Sequence, residues 1–295
     1  MKILTIFTPT YNRITLLPRL YESLKSSNTN LFIWMIIDDG STDGTGELVN
    51  KWKQEGFVEI QYFYKNNEGM HSAHNWAYER ITTAWNMCID SDDKLHPGAV
   101  EVILDNIFNL PDVDVKCLVG LDSDFFGKVL GKNFPLGFEK VKINQFMKEY
   151  KINGDKKFVF NTEVMKQVEP YPIFAGEKLV PLSYKYINAE ENIYFKPVNY
   201  IFCEVEYQED GSTRNMYRQY RKNPKGFNFS RIARINLEKS YKEKFTNAVH
   251  LVSGTLFTGD LSGLFRTRHP ALVLAAIPAG ILLNIYIRFK TKKNP

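Results

Sequence analysis

Three aspartates, Asp90, Asp92 and Asp93, follow the apolar run at residues 85–89. On an extended chain Asp90 and Asp92 project to one face, where their carboxylates repel unless a cation lies between them. Paired oxygens suit a hard divalent ion such as Mg²⁺ or Mn²⁺, which is held through one or two carboxylates plus substrate phosphates. A metal bridging a diphosphate is the chemistry this spacing serves. The plainer alternative makes Asp92 or Asp93 a cap for the helix after Pro97-Gly98. A second acidic cluster reads Asp38-Asp39-Gly40-Ser41-Thr42-Asp43-Gly44-Thr45. Turn and capping chemistry explains Gly40, Ser41 and Asp43. Adjacent carboxylates closing an apolar run are costly unless solvated or hydrogen-bonded, so Asp38 and Asp39 need another account. An acid here accepts hydrogen bonds from a nucleobase or a ribose.

The elements that must position these residues alternate. Short apolar, β-branched runs at 2–7, 31–37, 57–64, 83–89 and 115–121 are interleaved with amphipathic stretches at 16–26, 45–54, 70–80 and 98–109. That order predicts an α/β fold with a mostly parallel central sheet flanked by helices. Ligands of such sheets sit beyond the carboxyl ends of the strands. Four strand ends carry polar clusters: Pro9-Thr10-Tyr11-Asn12, the Asp38 cluster, Asn66-Asn67-Glu68-Gly69, and Asp90-Ser91-Asp92-Asp93. From 126 to 224 the pattern is less regular, with helix-like pieces at 144–150, 162–168 and 177–187 and strand-like runs at 157–161 and 199–207. Pro224-Lys225-Gly226 then marks a shift to helical apolar spacing. The expected organisation is a domain at 1–225, divided at about 125 into ligand-binding and acceptor-binding halves, and a helical region at 226–295.

Pro9-Thr10-Tyr11-Asn12-Arg13, the Asp38 cluster, Asn67-Glu68-Gly69 with His74-Asn75, and Asp90-Ser91-Asp92-Asp93, in that order, resemble the family 2 glycosyltransferases over about the first 110 residues. The resemblance implies a GT-A fold, a nucleotide-diphosphate-sugar donor, most simply a UDP-sugar, a divalent metal (Mn²⁺ or Mg²⁺), and inverting hexosyl or N-acetylhexosaminyl transfer. Carried over by residue, Pro9 and Tyr11 line the base pocket with Arg13 beside the donor, Asp39 meets a uracil-type base, Asp90 the ribose, and Asp92 the metal; Asp93 is either a metal contact or a cap. The general base in this family comes from an acidic pair at a helix start. The corresponding stretch here is Phe174-Ala175-Gly176-Glu177-Lys178, which makes Glu177 the candidate base and puts a lysine where the second acid is usual. First-turn acids also arise from helix-dipole stabilisation alone. The segment 206–226, with Arg214, Arg218 and Arg221, is similar to bacterial capsule and exopolysaccharide members, and Arg214 is the first candidate to close on the diphosphate. A solvated basic face is its plainer reading.

His71, His74 and Trp76 lack metal-ligand spacing and read as packing residues. The net charge of +5 is spread along the chain apart from a C-terminal basic knot, which argues against a nucleic-acid partner. Cys88, Cys117 and Cys203 fit neither a zinc site nor a disulfide framework and suit a reducing cytosol. The apolar run 271–287, interrupted by Pro278, Gly280 and Asn284, lies between Arg266 and Arg268 on one side and Arg288, Lys290, Lys292 and Lys293 on the other. Basic residues on both flanks favour an interfacial helix, or a re-entrant hairpin bending near 278–280, over a clean span. Packing in a soluble core is the alternative. The expected setting is the cytoplasmic face of a bacterial inner membrane, peripheral or monotopic, with a glycan or lipid-linked glycan as acceptor. Two other readings stay open. A nucleotidyltransferase would carry a glycine-rich basic loop after the first strand, where this chain has Pro9-Thr10-Tyr11-Asn12. A non-catalytic binding or assembly subunit is kept in play by Lys178.

Overall fold

A computed structural model describes residues 1–190, 193–206 and 215–292. Two compact units emerge: residues 1–169 with 189–206, and residues 170–188 with 207–295. Gly226, the expected boundary, lies inside a helix of the second unit.

The first unit is built on eight strands: β1 Leu4–Thr10, β2 Phe32–Asp38, β3 Ile60–Tyr64, β4 Trp85–Cys88, β5 Lys94–Leu95, β6 Val115–Ser123, β7 Lys156–Asn161 and β8 Tyr194–Glu204. They form one sheet in the order β3-β2-β1-β4-β7-β6-β8-β5. The β3-β2-β1-β4 half is parallel, as the alternation predicts. The other half corrects the expectation. β7 runs antiparallel to both β4 and β6, β8 parallel to β6, and β5 antiparallel to β8, so the sheet is mixed. Every residue of β1 and β2 is buried, the condition of strands covered on both faces. The helices of this unit are α1 Leu17–Lys25, α2 Thr45–Glu55, α3 Met70–Arg80, α4 Ala99–Phe108, α5 Ile143–Glu149 and α6 Thr162–Gln167. Tyr21 of α1 stacks on Trp52 of α2, and Trp52 on Trp34 of β2, at ring distances of 4.5 and 5.8 Å. This cluster fixes both helices against the sheet, and with them the loops that leave β1 and β2.

After α7 Ser183–Glu190, the second unit continues with α8 Met216–Lys222, α9 Pro224–Leu237, α10 Tyr241–Thr258, a short 3-10 turn Leu261–Phe265, α11 Pro270–Ala275 and α12 Ile277–Lys292. Ile235, Ala248, Leu251, Val252, Leu264, Val273 and Ala276 form its core. Gly280 lets α12 approach α10 closely, because a Cβ there would lie 2.4 Å from the Val252 Cβ. The apolar run 271–287 is therefore two helices that break at Ala276, not a segment bending at 278–280. The chain turns before Pro278 because Pro is tolerated in a first helical turn, where its missing N–H costs nothing. Among the described residues, no helix is long and apolar enough to cross a membrane.

Candidate functional site

The loops at the carboxyl ends of β1 and β2 are tied together. The Asn12 backbone N–H donates to Ser41 Oγ at 2.8 Å, and Asn12 Oδ1 accepts from the Thr42 N–H at 2.8 Å. Asp43 Oδ2 accepts from the Ile14 N–H at 2.9 Å, and its Oδ1 from the Thr45 hydroxyl at 2.6 Å. Burial works against the Asp43 charge, but these donors outweigh it and hold the carboxyl below the usual range. Asn12 takes a left-handed φ of 51°, which Asn tolerates better than most residues. Pro9 is buried at the end of β1, while Tyr11 is 48% exposed. A tyrosine ring is thus presented at the strand end.

Asp38 and Asp39 are both buried and both partnered, which meets the cost noted for adjacent carboxylates. Asp38 accepts from the Ser41 N–H at 2.7 Å and from the Tyr62 hydroxyl at 2.7 Å. Asp39 Oδ1 accepts from Lys65 Nζ at 2.6 Å and from the Glu68 N–H at 3.0 Å, and its Oδ2 from the Gly69 N–H at 2.7 Å. Asp39 therefore braces the 66–69 loop against β2. Both of its oxygens take part in that brace, Oδ2 through a single donor. Gly40 completes the joint. Its φ is +89°, and a Cβ there would approach the Asn67 nitrogen to 3.0 Å.

The Asp90–Asp93 turn follows β4. Burial, and then the charge of Asp90, push the Asp92 carboxyl above its ordinary range, against Arg13 and Arg19, whose charges pull it down. Arg19 anchors the turn by donating to the Asp92 carbonyl while its other nitrogen pairs with Glu206 at 2.7 Å. A buried Asp92 carboxyl facing the Asp90 charge fits a divalent cation, which would relieve the repulsion. Asp92 is the residue that would hold one, with Asp90 beside it. Among the described residues, no group of three or more His, Cys, Asp or Glu gathers as a metal cluster.

Behind the turn stands a cation the sequence did not single out. Lys157 of β7 lies 3.6 Å from Asp93 Oδ2. Burial disfavours its charge, but Cys203, Asp122, Asp93 and Asp90 around it hold the ammonium well above the usual range. Burial also drives Asp93 upward, with Lys157 opposing and Asp90 and Asp92 adding to the rise. Asp122, near the end of β6, is pushed up to about 6, first by burial, with Lys157 opposing. It is 2% exposed, and its Oδ1 has no hydrogen-bond partner. Asp122 was within reach of the strand-end rule, since it directly follows the apolar run at 115–121. Lys157 carried no local signal, because only the β6–β7 pairing, which sets Gly120 opposite Lys157, brings it to the acids.

His74 packs edge-on against Phe7 at 5.0 Å, within a buried cluster that includes Tyr78, as a packing residue should. In the second unit, Glu177 follows a turn at Ala175-Gly176 and precedes α7 by several residues, so it does not begin the helix expected over 177–187. Its carboxylate instead accepts the Lys225 N–H at 3.0 Å and the Gly226 N–H at 2.9 Å, at the start of α9. Two otherwise unpaired helix-terminal donors are thereby satisfied by an anion on the favourable end of the helix dipole. Lys178 joins the same cap through its N–H to Asn223 Oδ1 at 2.8 Å. Arg214 lies outside the described residues; Arg218 and Arg221 belong to α8.

The sequence model described as Glycosyl transferase family 2 matches residues 5–168, more than half of the chain and all four polar loops. The chain belongs to glycosyl transferase family 2. A Rickettsia felis protein described as an uncharacterized glycosyltransferase is 34% identical over 100 residues, which is 34% of this chain and 16% of the relative. Chondroitin synthase of Escherichia coli is 29% identical over 150 residues, 49% of this chain and 21% of that enzyme. The chain thus spans about a sixth to a fifth of the length of these curated relatives. Among solved structures, S. aureus TarS 1-349 in complex with UDP-GlcNAc superposes with a TM-score of 0.67 at 16% identity, covering 95% of this chain and 81% of that one. The likeness establishes the fold that this glycosyltransferase family member shares with TarS.

Proposed function

We propose that the chain transfers a monosaccharide from a nucleoside diphosphate sugar, a UDP-sugar in the simplest case, to a glycan acceptor in bacterial cell-surface polysaccharide synthesis. Transfer is by inverting single displacement, and the acceptor is lipid-linked at the cytoplasmic face of the inner membrane. The observation that carries this reading is the Asp92 carboxyl, raised in pKa by burial and by the charge of Asp90, at a strand end beside three pre-tied loops. The UDP-GlcNAc of TarS and the polymer made by chondroitin synthase support the donor and acceptor classes.

Each residue has a task in this reading. Tyr11 stacks on the base beside Pro9. Asp39 works from behind, by holding the 66–69 loop. Asp90 meets the ribose and Asp92 holds the metal, with Arg13 facing the same charge. A divalent metal, when bound, neutralises charge building on the departing diphosphate. Lys157, fixed in β7, lowers the repulsion among the acids whether or not the metal is present. Arg214 closes on the diphosphate.

Transfer with and without Mn²⁺, on a panel of nucleotide sugars, compares wild type with Asp92→Asn. Metal-dependent turnover falling by at least a hundredfold in the variant is the expected result; turnover indifferent to both metal and variant refutes the assignment. A second reading, donor binding without turnover, is favoured by one observation: the Glu177 carboxylate is spent on the α9 N-terminus. Turnover by wild type on the donor panel separates the two, and Glu177→Gln then tests the base. A base is lost with its charge, so transfer should collapse while donor binding persists. Unchanged transfer leaves Glu177 as a cap alone.

A further inference from the structure

Helix α12 is inside-out. On a water-facing helix the apolar stripe turns inward and the polar side outward. Here the side packed on α10 carries Gly280, Asn284, Ile287 and Thr291, spaced at i, i+4, i+7 and i+11. Two of those residues are polar and have internal partners: Asn284 Nδ2 donates to the Ser253 carbonyl at 2.9 Å, and Thr291 Oγ1 accepts from Arg221 at 3.0 Å. The opposite side presents Ile281, Leu282, Ile285 and Phe289, all exposed, Leu282 by 68% and Phe289 by 63%. At about 100° per residue these four fall within an arc of about 100°, roughly opposite the packed side. Leu274 of α11 and Phe265 of the 3-10 turn are exposed in the same unit.

The charges name the medium. Arg288 is exposed along one edge of the stripe, Lys292 at its C-terminal end, Lys290 lies beyond the other edge, and Arg266 and Arg268 are exposed in the turn before α11. Arg288 is steered by Asn284 Oδ1 at 2.8 Å and lies over the Phe257 ring, so its cation is held at the edge of the apolar stripe. A second copy of this chain docked through the same face would bring like charges together, whereas anionic headgroups complement them. Sixteen residues reach about 24 Å as a helix, short of a hydrocarbon core of about 30 Å. The geometry points to α12 lying in the plane of an anionic membrane surface, with Ile281, Leu282, Ile285 and Phe289 dipping below the headgroups and Arg288, Lys290 and Lys292 among them. This deepens the membrane location proposed above by naming the face and the lipid charge, and it does not depend on sugar transfer.

Flotation of the full chain with vesicles tests it, using phosphatidylcholine alone or with a third phosphatidylglycerol. Wild type should float with the anionic vesicles at least tenfold more tightly than with neutral ones. Ile285→Glu, at an exposed position where the fold tolerates it, should lose that binding by more than tenfold while its melting temperature and nucleotide-sugar binding stay unchanged. A Phe289→Trp reporter should be quenched best by lipids brominated near the headgroup end of the acyl chain. The inference is overturned if wild type ignores anionic vesicles, if Ile285→Glu binds them equally, if quenching peaks at mid-bilayer, or if light scattering shows a dimer that Ile285→Glu dissolves without any vesicle binding. Wild type that transfers sugar yet ignores anionic vesicles would refute this inference alone. The reverse result would refute the transferase reading alone.

Discussion

Asp122→Asn should make the metal-free protein more stable, and only above a definable pH. The carboxyl is buried, its Oδ1 has no partner, and its pKa is raised from 3.8 to about 6. Below about pH 4 the folded and unfolded chains both hold this proton, and the group has no effect. As pH rises from there through 6, the unfolded chain releases the proton first, so stability is lost with increasing pH. Above 6 the loss is constant. At about 1.4 kcal/mol per pH unit, the interval from 3.8 to about 6 amounts to about 3 kcal/mol. Asparagine keeps the shape and carries no charge, so it should recover most of that at pH 8 and about half at pH 5. For a chain of this size 3 kcal/mol is a melting shift of roughly 6 to 12 °C. Thermal and urea unfolding in EDTA at both pH values make the measurement. A gain of equal size at pH 5 and pH 8, or a loss at pH 8, would refute the reasoning, because neither follows from an ionisation cost.

Two further outcomes rest on the same wall of the site. Lys157→Met removes the cation facing Asp93 and Asp122 and should cost roughly 3 kcal/mol at pH 8. The cost should shrink by pH 5, where the acids take up protons, and urea unfolding at the two pH values reads the difference. Asp39→Ala leaves the buried Lys65 ammonium with only the exposed Glu68 carboxylate and the Asn66 carbonyl, and strands the Glu68 and Gly69 N–H groups. It should cost roughly 3 kcal/mol, and faster hydrogen exchange at those two amides, with α2 unaffected, is its signature.

The parallel half of the sheet was legible because β1, β2 and β4 each end an apolar run in polar residues, a pattern local to a few positions. The mixed half was not. Whether β7 runs with or against β4 depends on which strand it docks beside, and the residues 156–161 read the same either way. Glu177 shows the limit at one residue. Its sequence context, an acid after glycine with an apolar stretch to follow, suits a helix start, but the helix it serves begins 47 residues later at Pro224. Asp39 was legible as an acid in need of partners, and the partners are Lys65 and two amides of its own fold. The break at Ala276 did carry a signal, because Pro278 suits the first turn of a helix beginning at Ile277, but Pro278 and Gly280 together suggested a bend between them.

The ties among Asn12, Ser41, Thr42 and Asp43 bear on how a ligand's binding heat would divide. Loops that order around a nucleotide surrender their freedom at the moment of capture, and that loss is subtracted from affinity. Here the β1 and β2 loops hold each other through three hydrogen bonds that exist without any ligand. Their ordering was charged to folding. A nucleotide arriving at this end of the sheet meets a cradle already set, so the entropy it forfeits is chiefly its own.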